Sequence, residues 1–383
     1  MERVYLDNNA TTRVAQEVLD AMLPWFRERW GNPSSLYPLG EASADAMRAA
    51  RSELARLVGG TPEEVVFTSG ASESIATAFE SARRRGGDRV RFVTSAVEHS
   101  AVTAQVEACA ASGAETVVAG VDHEGRLDRD AVLSAIDGRT ALVSLILANN
   151  ETGVVSDLGE IAAACKAADA WLHVDAVQAP GKLPLDVSEL GADLLSLSAH
   201  KFHGPKGVGA LWARRDLPLA GLVLGGPQER EVRAGTENVP GIVGAGVAAR
   251  LAREHALDTA ALDRLTGMRD RLETGILERI PGARVHGAGA PRVPNTTNIG
   301  FSGDLDAITL LALLAASGVD ASAGSACHAD RSGPSPVLLA MGCSEGEAAG
   351  SLRLSLSRDT TGEDVERAIG AVSEAIETLR ALA

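Results

Sequence analysis

Short runs of β-forming residues alternate with alanine-rich amphipathic stretches between residues 65 and 213. The β-forming runs are Val65 to Thr68, Arg91 to Thr94, Thr116 to Ala119, Leu142 to Leu147, Trp171 to Asp175, Leu194 to Ser198 and Val208 to Ala213. Strands that alternate with helices imply β-α-β units and a mostly parallel sheet with helices on both faces. The predicted fold class is therefore α/β.

The helical patterns predict a second, smaller unit after this region. A helix is expected over residues 41–58, where Gly59 and Gly60 follow as a C-terminal cap. A long helical pattern over 247–279 could join two domains. Beyond it come a strand over 296–301 and helices over 307–316 and 363–382. We predict a large α/β domain over 13–255, and a small α+β domain formed by 1–12 together with 256–383.

The composition of the chain restricts the classes of partner that it can bind. The 383 residues are 45% hydrophobic and carry a net charge of −15. This acidic balance argues against direct nucleic-acid binding, which needs clustered Lys and Arg. No apolar run is long enough to span a bilayer, so no membrane contact is predicted. The first seven residues lack a signal-peptide pattern, and we expect a cytoplasmic protein.

The cysteines are widely spaced, which bears on metals and disulfides. Cys109, Cys165, Cys327 and Cys343 form no C-x-x-C pair. This spacing argues against a disulfide framework and against a structural zinc site, and we predict no metal. At least one of the thiols could therefore be chemically active.

One strand delivers a lysine to the position where α/β sheets bind ligands. The segment from Ser196 to Lys201 ends a predicted strand, and ligands bind at the carboxyl ends of such strands. A lysine amine forms a Schiff base with an aldehyde if its surroundings lower its pKa. Ser198 and His200 could ligate a phosphate beside it. Taken alone, the segment could equally carry a solvated surface lysine.

Two further segments favour pyridoxal phosphate (PLP) as the ligand. The strand ending at Asp175 presents a carboxylate and then the amide of Gln178. PLP accepts electrons well when an acidic residue keeps its ring nitrogen protonated. The segment 67–74 passes from a strand through glycine into a helix, a geometry that cradles phosphate. The alternatives are helix caps formed by Asp175 and by Ser72.

Nine motifs in order along the chain resemble those of the cysteine desulfurases of the NifS and IscS type. They are LDNNATT (6–12), GNPSS (31–35), TSGASES (68–74), EH (98–99), NNETG (149–153), HVD (173–175), HK (200–201), GTEN (235–238) and GSAC (324–327). The resemblance covers essentially the whole chain. It implies the aspartate-aminotransferase-like architecture called fold-type I, PLP as cofactor, and a homodimer with active sites at the subunit boundary.

The resemblance also implies roles for individual residues. Lys201 would hold PLP as a Schiff base, Asp175 would pair with the ring nitrogen, and Gln178 would contact the ring hydroxyl. His99 would stack on the ring and, with Lys201, move protons. The implied phosphate ligands are Ala71, Ser72, Ser198 and His200, with Thr236 from the neighbouring subunit. The implied anchors of the substrate carboxylate are Asn150 and Arg353.

Cys327 is the predicted nucleophile. It lies in a stretch of small and polar residues, about 322–336, which is typical of a mobile loop. His328 and Arg331 would lower its pKa, and the thiolate is the reactive form. The resemblance implies that Cys327 removes sulfur from L-cysteine as a persulfide, leaves L-alanine, and passes the sulfur to an acceptor protein.

Two departures from the common pattern leave alternatives open. The first departure is the sequence after the cysteine, because the segments Cys327 to Asp330 and 334–339 resemble those of selenocysteine lyases. The Cys-His pair at 327–328 also resembles that of desulfurases that serve DNA phosphorothioation. Tyr37 stands where many relatives carry His. The alternatives to a desulfurase are a selenocysteine lyase, another PLP-dependent lyase or transaminase, and a PLP-bearing scaffold. The acceptor of the sulfur could serve iron–sulfur assembly, tRNA thiolation or DNA phosphorothioation.

Overall fold

The computed structural model describes residues 3–302, 305–323 and 333–382. The helices are α1 (Gln16–Arg27), α2 (Pro38–Leu57), α3 (Ala71–Arg83), α4 (Ser100–Ala111), α5 (Arg129–Ala135), α6 (Gly159–Ala168), α7 (Val187–Leu190), α8 (Val239–Leu257), α9 (Thr259–Arg279), α10 (Ala307–Ala316), α11 (Pro336–Ala340), α12 (Glu345–Ala349) and α13 (Gly362–Leu382). The strands are β1 (Val4–Tyr5), β2 (Val65–Thr68), β3 (Arg91–Ser95), β4 (Glu115–Ala119), β5 (Thr140–Ile146), β6 (Trp171–Asp175), β7 (Leu194–Ser198), β8 (Gly209–Ala213), β9 (Arg284–Val285), β10 (Thr296–Gly300), β11 (Val319–Asp320), β12 (Ser322–Ala323) and β13 (Leu352–Ser355).

The central sheet has seven strands in the order β2-β8-β7-β6-β5-β3-β4. Strand β8 runs antiparallel to both of its neighbours, β2 and β7, whereas the pairs from β7 to β4 are parallel. Every residue of β5, β6 and β7 is buried. This explains the continuous apolar character of these strands, because helices cover both faces. The prediction of a mostly parallel α/β sheet is confirmed.

Apolar side chains alternate between the two faces of this sheet. On β5, Val143 and Leu145 belong to one buried cluster, which also contains residues of α2 and α8. Leu142 belongs to another, which contains Ile75 and Phe79 of α3. Successive strand residues point to opposite faces, so each strand contributes to both layers. The sheet is therefore enclosed between two helical layers.

A third buried cluster lies around the four-stranded sheet β12-β13-β10-β9 and helices α9, α10 and α13. The start of the described chain joins it, because β1 pairs in parallel with β11, and Val4 and Leu6 are buried in the same cluster. The division into a domain over 13–255 and a domain of 1–12 with 256–383 stays a prediction. The separate clusters are its physical support.

The prediction of one long helix over 247–279 is wrong. Helices α8 and α9 meet at Asp258, whose extended backbone and side chain form an N-cap that accepts a hydrogen bond from the Ala261 N–H at 3.1 Å. Helix α8 also begins earlier than predicted, at Val239 instead of residue 247. A Cβ at Gly246 would lie 2.5 Å from the Cα of Ala50, so glycine there permits close packing of α8 on α2.

The described helices also bear on membrane contact. Helices α9 and α13, each 21 residues long, contain several charged side chains. In the described part of the chain, no helix is both long enough and apolar enough to cross a membrane.

Candidate active site

The parallel strands β5, β6 and β7 end at the same edge of the central sheet, and a cavity of about 580 Å³ opens there. Nine of the predicted site residues line this cavity: Ala71, Ser72, His99, Asn150, Asp175, Gln178, Ser198, His200 and Lys201. They come from five separate segments of the chain: 71–72, 99, 150, 175–178 and 198–201. The cavity lies where parallel α/β sheets bind ligands, at the carboxyl ends of the strands.

Lys201 lies on a short 3-10 turn, residues 199–201, directly after β7. Its Nζ donates to the backbone oxygens of Asn9 at 2.6 Å and Ala10 at 2.9 Å. These carbonyls belong to the motif over residues 6–12, so the N-terminal segment positions the lysine through two hydrogen bonds. The amine is thereby positioned at the wall of the cavity.

Asp175 is the last residue of β6 and is almost fully buried. One carboxylate oxygen accepts the Val177 N–H at 3.0 Å. Burial raises the pKa of Asp175, while the charges of His99 and Lys201 and the Val177 hydrogen bond lower it. A buried carboxylate of this kind favours a cationic partner, since an opposite charge stabilises its ionised form.

His99 is the N-cap of helix α4. Its Nδ1 accepts the backbone N–H of Ala101 at 3.1 Å. When the imidazole is neutral, the proton must therefore lie on Nε2. The helix start thus fixes both the position and the tautomer of the imidazole. The sequence predicted the residue but not this cap.

The phosphate side of the cavity is built on the start of α3. Gly70 is its N-cap and offers no side-chain cap, so the first backbone N–H groups of the helix face other acceptors. Ser72, Ser198 and His200 add side-chain donors to the same cavity. Burial, followed by the charges of Lys201 and Lys206, lowers the pKa of His200 to about 4. At neutral pH its imidazole is therefore uncharged.

Arg353 lies behind the cavity wall and is almost fully buried. Its Nη1 donates to the backbone oxygen of Asn150 at 3.1 Å, and its Nη2 donates to Asp7 Oδ1 at 2.7 Å. Among the described residues, neither Arg353 Nε nor Asn150 Oδ1 has a hydrogen-bond partner, and both atoms are buried. Arg353 and Asn150 therefore each keep a buried polar atom whose hydrogen-bonding capacity the described residues do not use.

Besides Arg353, two predicted residues are not part of this cavity as described. Thr236 is exposed and precedes Asn238, the N-cap of α8. Its predicted role in a neighbouring subunit stays a prediction. Cys327 and its neighbours His328 and Arg331 lie outside the described residues. Of the predicted loop over 322–336, only the two ends are described.

Three charged groups near the cavity were not predicted from the sequence. Burial raises the pKa of Glu98 to about 8 and that of Glu151 to about 7, although hydrogen bonds from Ser95 and Ser335 oppose this. Burial lowers the pKa of Lys182 to about 7. Glu98 and Glu151 lie within the recognised EH and NNETG motifs. That position was the available signal for both, whereas nothing marked Lys182.

A possible metal-ligand cluster lies elsewhere in the described chain. Ligand atoms of His286, Cys343 and Glu347 lie within 4.8 Å of one another. Arg284 forms an ion pair with Glu347, and its Nη2 lies 3.9 Å from Cys343 Sγ. The arginine already balances the negative charge of this cluster, and we assign no metal to it.

The described cavity fits PLP by three observations. Asp175 is a buried carboxylate that a protonated ring nitrogen would stabilise. The start of α3 lacks a side-chain cap and, with Ser198 and His200, provides donors for a phosphate. Lys201 places a primary amine on the same wall. Donors, acceptor and amine therefore match the three functional parts of this cofactor.

Comparisons with known proteins agree with this geometry. Residues 4–368 match the aminotransferase class-V family. A cysteine desulfurase from Cereibacter sphaeroides is 47% identical over 385 residues, covering 100% of this chain and 98% of the relative. A solved NifS-like protein aligns with a TM-score of 0.90 and 35% identity over 98% of this chain and 100% of its own. SspA in complex with cysteine aligns with a TM-score of 0.81 and 33% identity, over 92% and 98% of the two chains.

Proposed function

Because this chain belongs to the class-V aminotransferase family, we propose that it is a PLP-dependent cysteine desulfurase that converts L-cysteine to L-alanine. Its fold-type I architecture and its cofactor are those that the sequence predicted. One observation carries the proposal. Lys201, Asp175 and the uncapped start of α3 surround a single cavity, in a chain that is 47% identical to a cysteine desulfurase over its whole length.

The contacts of the cavity residues support the following roles. Lys201 would hold the aldehyde carbon of the cofactor and Asp175 its ring nitrogen, while Ser72, Ser198 and His200 would hold its phosphate. When bound, PLP supplies an electron sink that makes the substrate's Cα proton removable. Lys201, which lines the cavity, would be the base that takes this proton.

The substrate carboxylate would be held at the Asn150 and Arg353 side of the cavity. Arg353 Nε is buried with no partner among the described residues, and a guanidinium is the natural partner of a carboxylate. Asp7 keeps the other end of this guanidinium in place at 2.7 Å. Such an arrangement orients the substrate without a rearrangement of the arginine.

Sulfur transfer is assigned to Cys327 on sequence grounds. Its thiolate would attack the substrate sulfur, so that an S–S bond forms while the bond between Cβ and sulfur breaks. The electron pair of the broken bond remains with Cβ, which takes up a proton, and the product is alanine. The persulfide on Cys327 is then delivered to an acceptor protein. For a DNA phosphorothioation system, the net charge of −15 implies that a partner contacts the DNA.

We propose a homodimer in which Thr236 reaches the partner's cavity. Thr236 is exposed, and apolar side chains are exposed in two segments, at Trp30 and Leu36 and again at Leu224. Exposed apolar groups of this size favour cover by another protein surface. A cytoplasmic location stays a prediction.

The first experiment measures alanine and sulfide released from L-cysteine in the presence of dithiothreitol. We expect the wild-type protein to release both in equal amounts. Cys327→Ser should keep its yellow colour and lose activity by about a thousandfold, since the nucleophile is gone. Cys343→Ser is the matched control, because Cys343 is half-buried and lies outside the cavity, and it should retain activity.

Equal activity of Cys327→Ser and wild type would refute the persulfide step. Release of alanine from L-selenocysteine, measured in parallel, separates the alternatives. A selenocysteine lyase would turn over this substrate without Cys327, whereas a desulfurase requires the thiol for L-cysteine.

A further inference from the structure

Lys182 is a buried lysine next to the candidate active site. The chain has few lysines, and three of them, Lys182, Lys201 and Lys206, line the main cavity or the small cavity behind it. Only 8% of Lys182 is exposed. A buried lysine is costly unless a specific partner compensates for the lost water. We therefore expect Lys182 to have a specific hydrogen-bond partner.

The Lys182 side chain forms a hydrogen bond with Gln178. Lys182 Nζ donates to Gln178 Oε1 at 2.7 Å, and Gln178 Nε2 donates to the backbone oxygen of Asn9 at 3.0 Å. The same oxygen accepts Lys201 Nζ at 2.6 Å. Lys182 is thus connected to the Schiff-base lysine through one amide and one carbonyl.

These contacts leave a single orientation for the Gln178 amide. The Asn9 backbone carbonyl has only acceptor sites, so it pairs with the amide nitrogen, and the Lys182 amine has hydrogens to donate whether or not it is charged. The oxygen of the amide must therefore face Lys182, and the nitrogen must face Asn9. Since an amide nitrogen has two hydrogens, one remains for a ligand in the cavity.

We infer that Lys182 is a positioning residue that fixes the Gln178 amide with its nitrogen, and not its oxygen, available to the ring hydroxyl oxygen of the cofactor. This inference rests on the proposed role of Gln178. A donor at this place stabilises the deprotonated ring oxygen, and an acceptor would destabilise it. Lys182 would thus act on the cofactor through Gln178, without touching it.

The surroundings of Lys182 are rich in basic side chains. Lys201 and Arg353 act on it, and a cavity of about 40 Å³ behind Lys201 is also lined by His203, His255 and Arg358. The nearby carboxylate is Asp359, which lies 3.9 Å from His203 Nδ1. Substitution of Lys182 by methionine removes both its charge and its hydrogen bond to Gln178, and each loss favours the protonated form of the cofactor. Both effects therefore raise the pKa of the bound cofactor.

The test is a pH titration of the yellow absorption band of the holoenzyme. Lys182→Met should raise the midpoint of this titration by about one pH unit, a tenfold change in the proton equilibrium. Lys182→Arg keeps a cationic donor and should restore a midpoint close to that of wild type. The exposed Lys166, substituted as Lys166→Met, is the matched control and should leave the midpoint unchanged.

A folded Lys182→Met protein with the wild-type midpoint would overturn the inference. If that variant does not fold, NMR of lysine labelled with ¹³C at Cε tests the same contact in Gln178→Leu. The pKa of Lys182 should fall further when its acceptor is removed, and an unchanged titration would refute the contact. The absorption test needs only bound cofactor, so it can succeed even if the desulfurase assay fails.

Discussion

Arg353 and Asp7 form a hydrogen-bonded ion pair of 2.7 Å across 346 positions of sequence. The arginine side chain is 2% exposed and that of the aspartate 20%. Asp7 lies two residues before Asn9, whose carbonyl accepts Lys201, and Arg353 donates to the Asn150 backbone at the cavity wall. The pair therefore joins the N-terminal motif to the strand β13 on which Arg353 lies, next to the candidate substrate site.

Removal of this carboxylate should destabilise the fold. Asp7→Ala leaves the Arg353 guanidinium buried without its counter-charge, and we expect the free energy of unfolding to fall by about 3 kcal/mol. Asp320→Ala is the matched control, because it breaks the exposed pair between Arg3 and Asp320, with side chains 52% and 35% exposed. Such a surface pair should cost less than about 1 kcal/mol. Urea denaturation measures both, and equal losses would contradict the assignment.

His99 has a structural and a chemical role that two substitutions can separate. His99→Asn keeps a side chain that can cap α4, whereas His99→Ala removes the cap and should cost about 1 kcal/mol of stability. Both variants lose the Nε2 donor, and kcat should fall by roughly a hundredfold or more in each. Thermal denaturation and alanine release are the measurements. Full activity of His99→Asn would mean that His99 serves only as a helix cap.

The bounds of several strands and the grouping of the cavity residues could be predicted from local sequence. Strands β2, β6 and β7 have the predicted bounds, because a fully buried strand requires a continuous apolar run that is easily recognised. The residues of the cavity could be placed together because parallel strands end at one edge. In contrast, the break at Asp258 was not predicted, since one capping side chain interrupts an otherwise helical pattern.

Contacts between distant segments could not be predicted in this way. The pair of Asp7 with Arg353 and the connection of Lys182 to Asn9 through Gln178 join positions that no periodicity relates. Burial of Glu98 was also hidden, since a charged residue after a strand is usually exposed. These features depend on the assembled fold, as does the burial that shifts the pKa values of Glu98 and Lys182.

Glu98 should make stability depend on pH. Its Oε1 accepts hydrogen bonds from Ser95 Oγ at 2.5 Å and from the Ile146 N–H at 3.0 Å. Burial raises the folded-state pKa to about 8, above the usual value of 4.5. Between these values the unfolded chain releases a proton that the folded chain keeps, so stability falls as pH rises from about 4.5 to about 8.

Glu98→Gln removes this effect while it keeps the acceptor oxygen. We expect equal stability of variant and wild type near pH 4.5, and a variant more stable by about 5 kcal/mol above pH 8. The exposed Glu363, substituted as Glu363→Gln, is the control and should show no such divergence. Denaturation of the holoenzyme across this range gives the answer. Parallel curves for Glu98→Gln and wild type would show that Glu98 is ionised in the folded state at neutral pH.

Thr236 provides a test of whether two subunits build one site. A hydroxyl bonded to a phosphate contributes about 1 kcal/mol, so Thr236→Ala should weaken PLP binding by about fivefold. Thr103→Ala, on the exposed face of α4, is the control. Mixed dimers of Lys201→Ala with Thr236→Ala subunits then distinguish the two arrangements. If Thr236 acts on the partner's cavity, the single site that retains Lys201 also receives an intact Thr236 and binds PLP with wild-type affinity. If Thr236 acts within its own subunit, that site carries both the lysine and the substitution, and its affinity stays about fivefold lower.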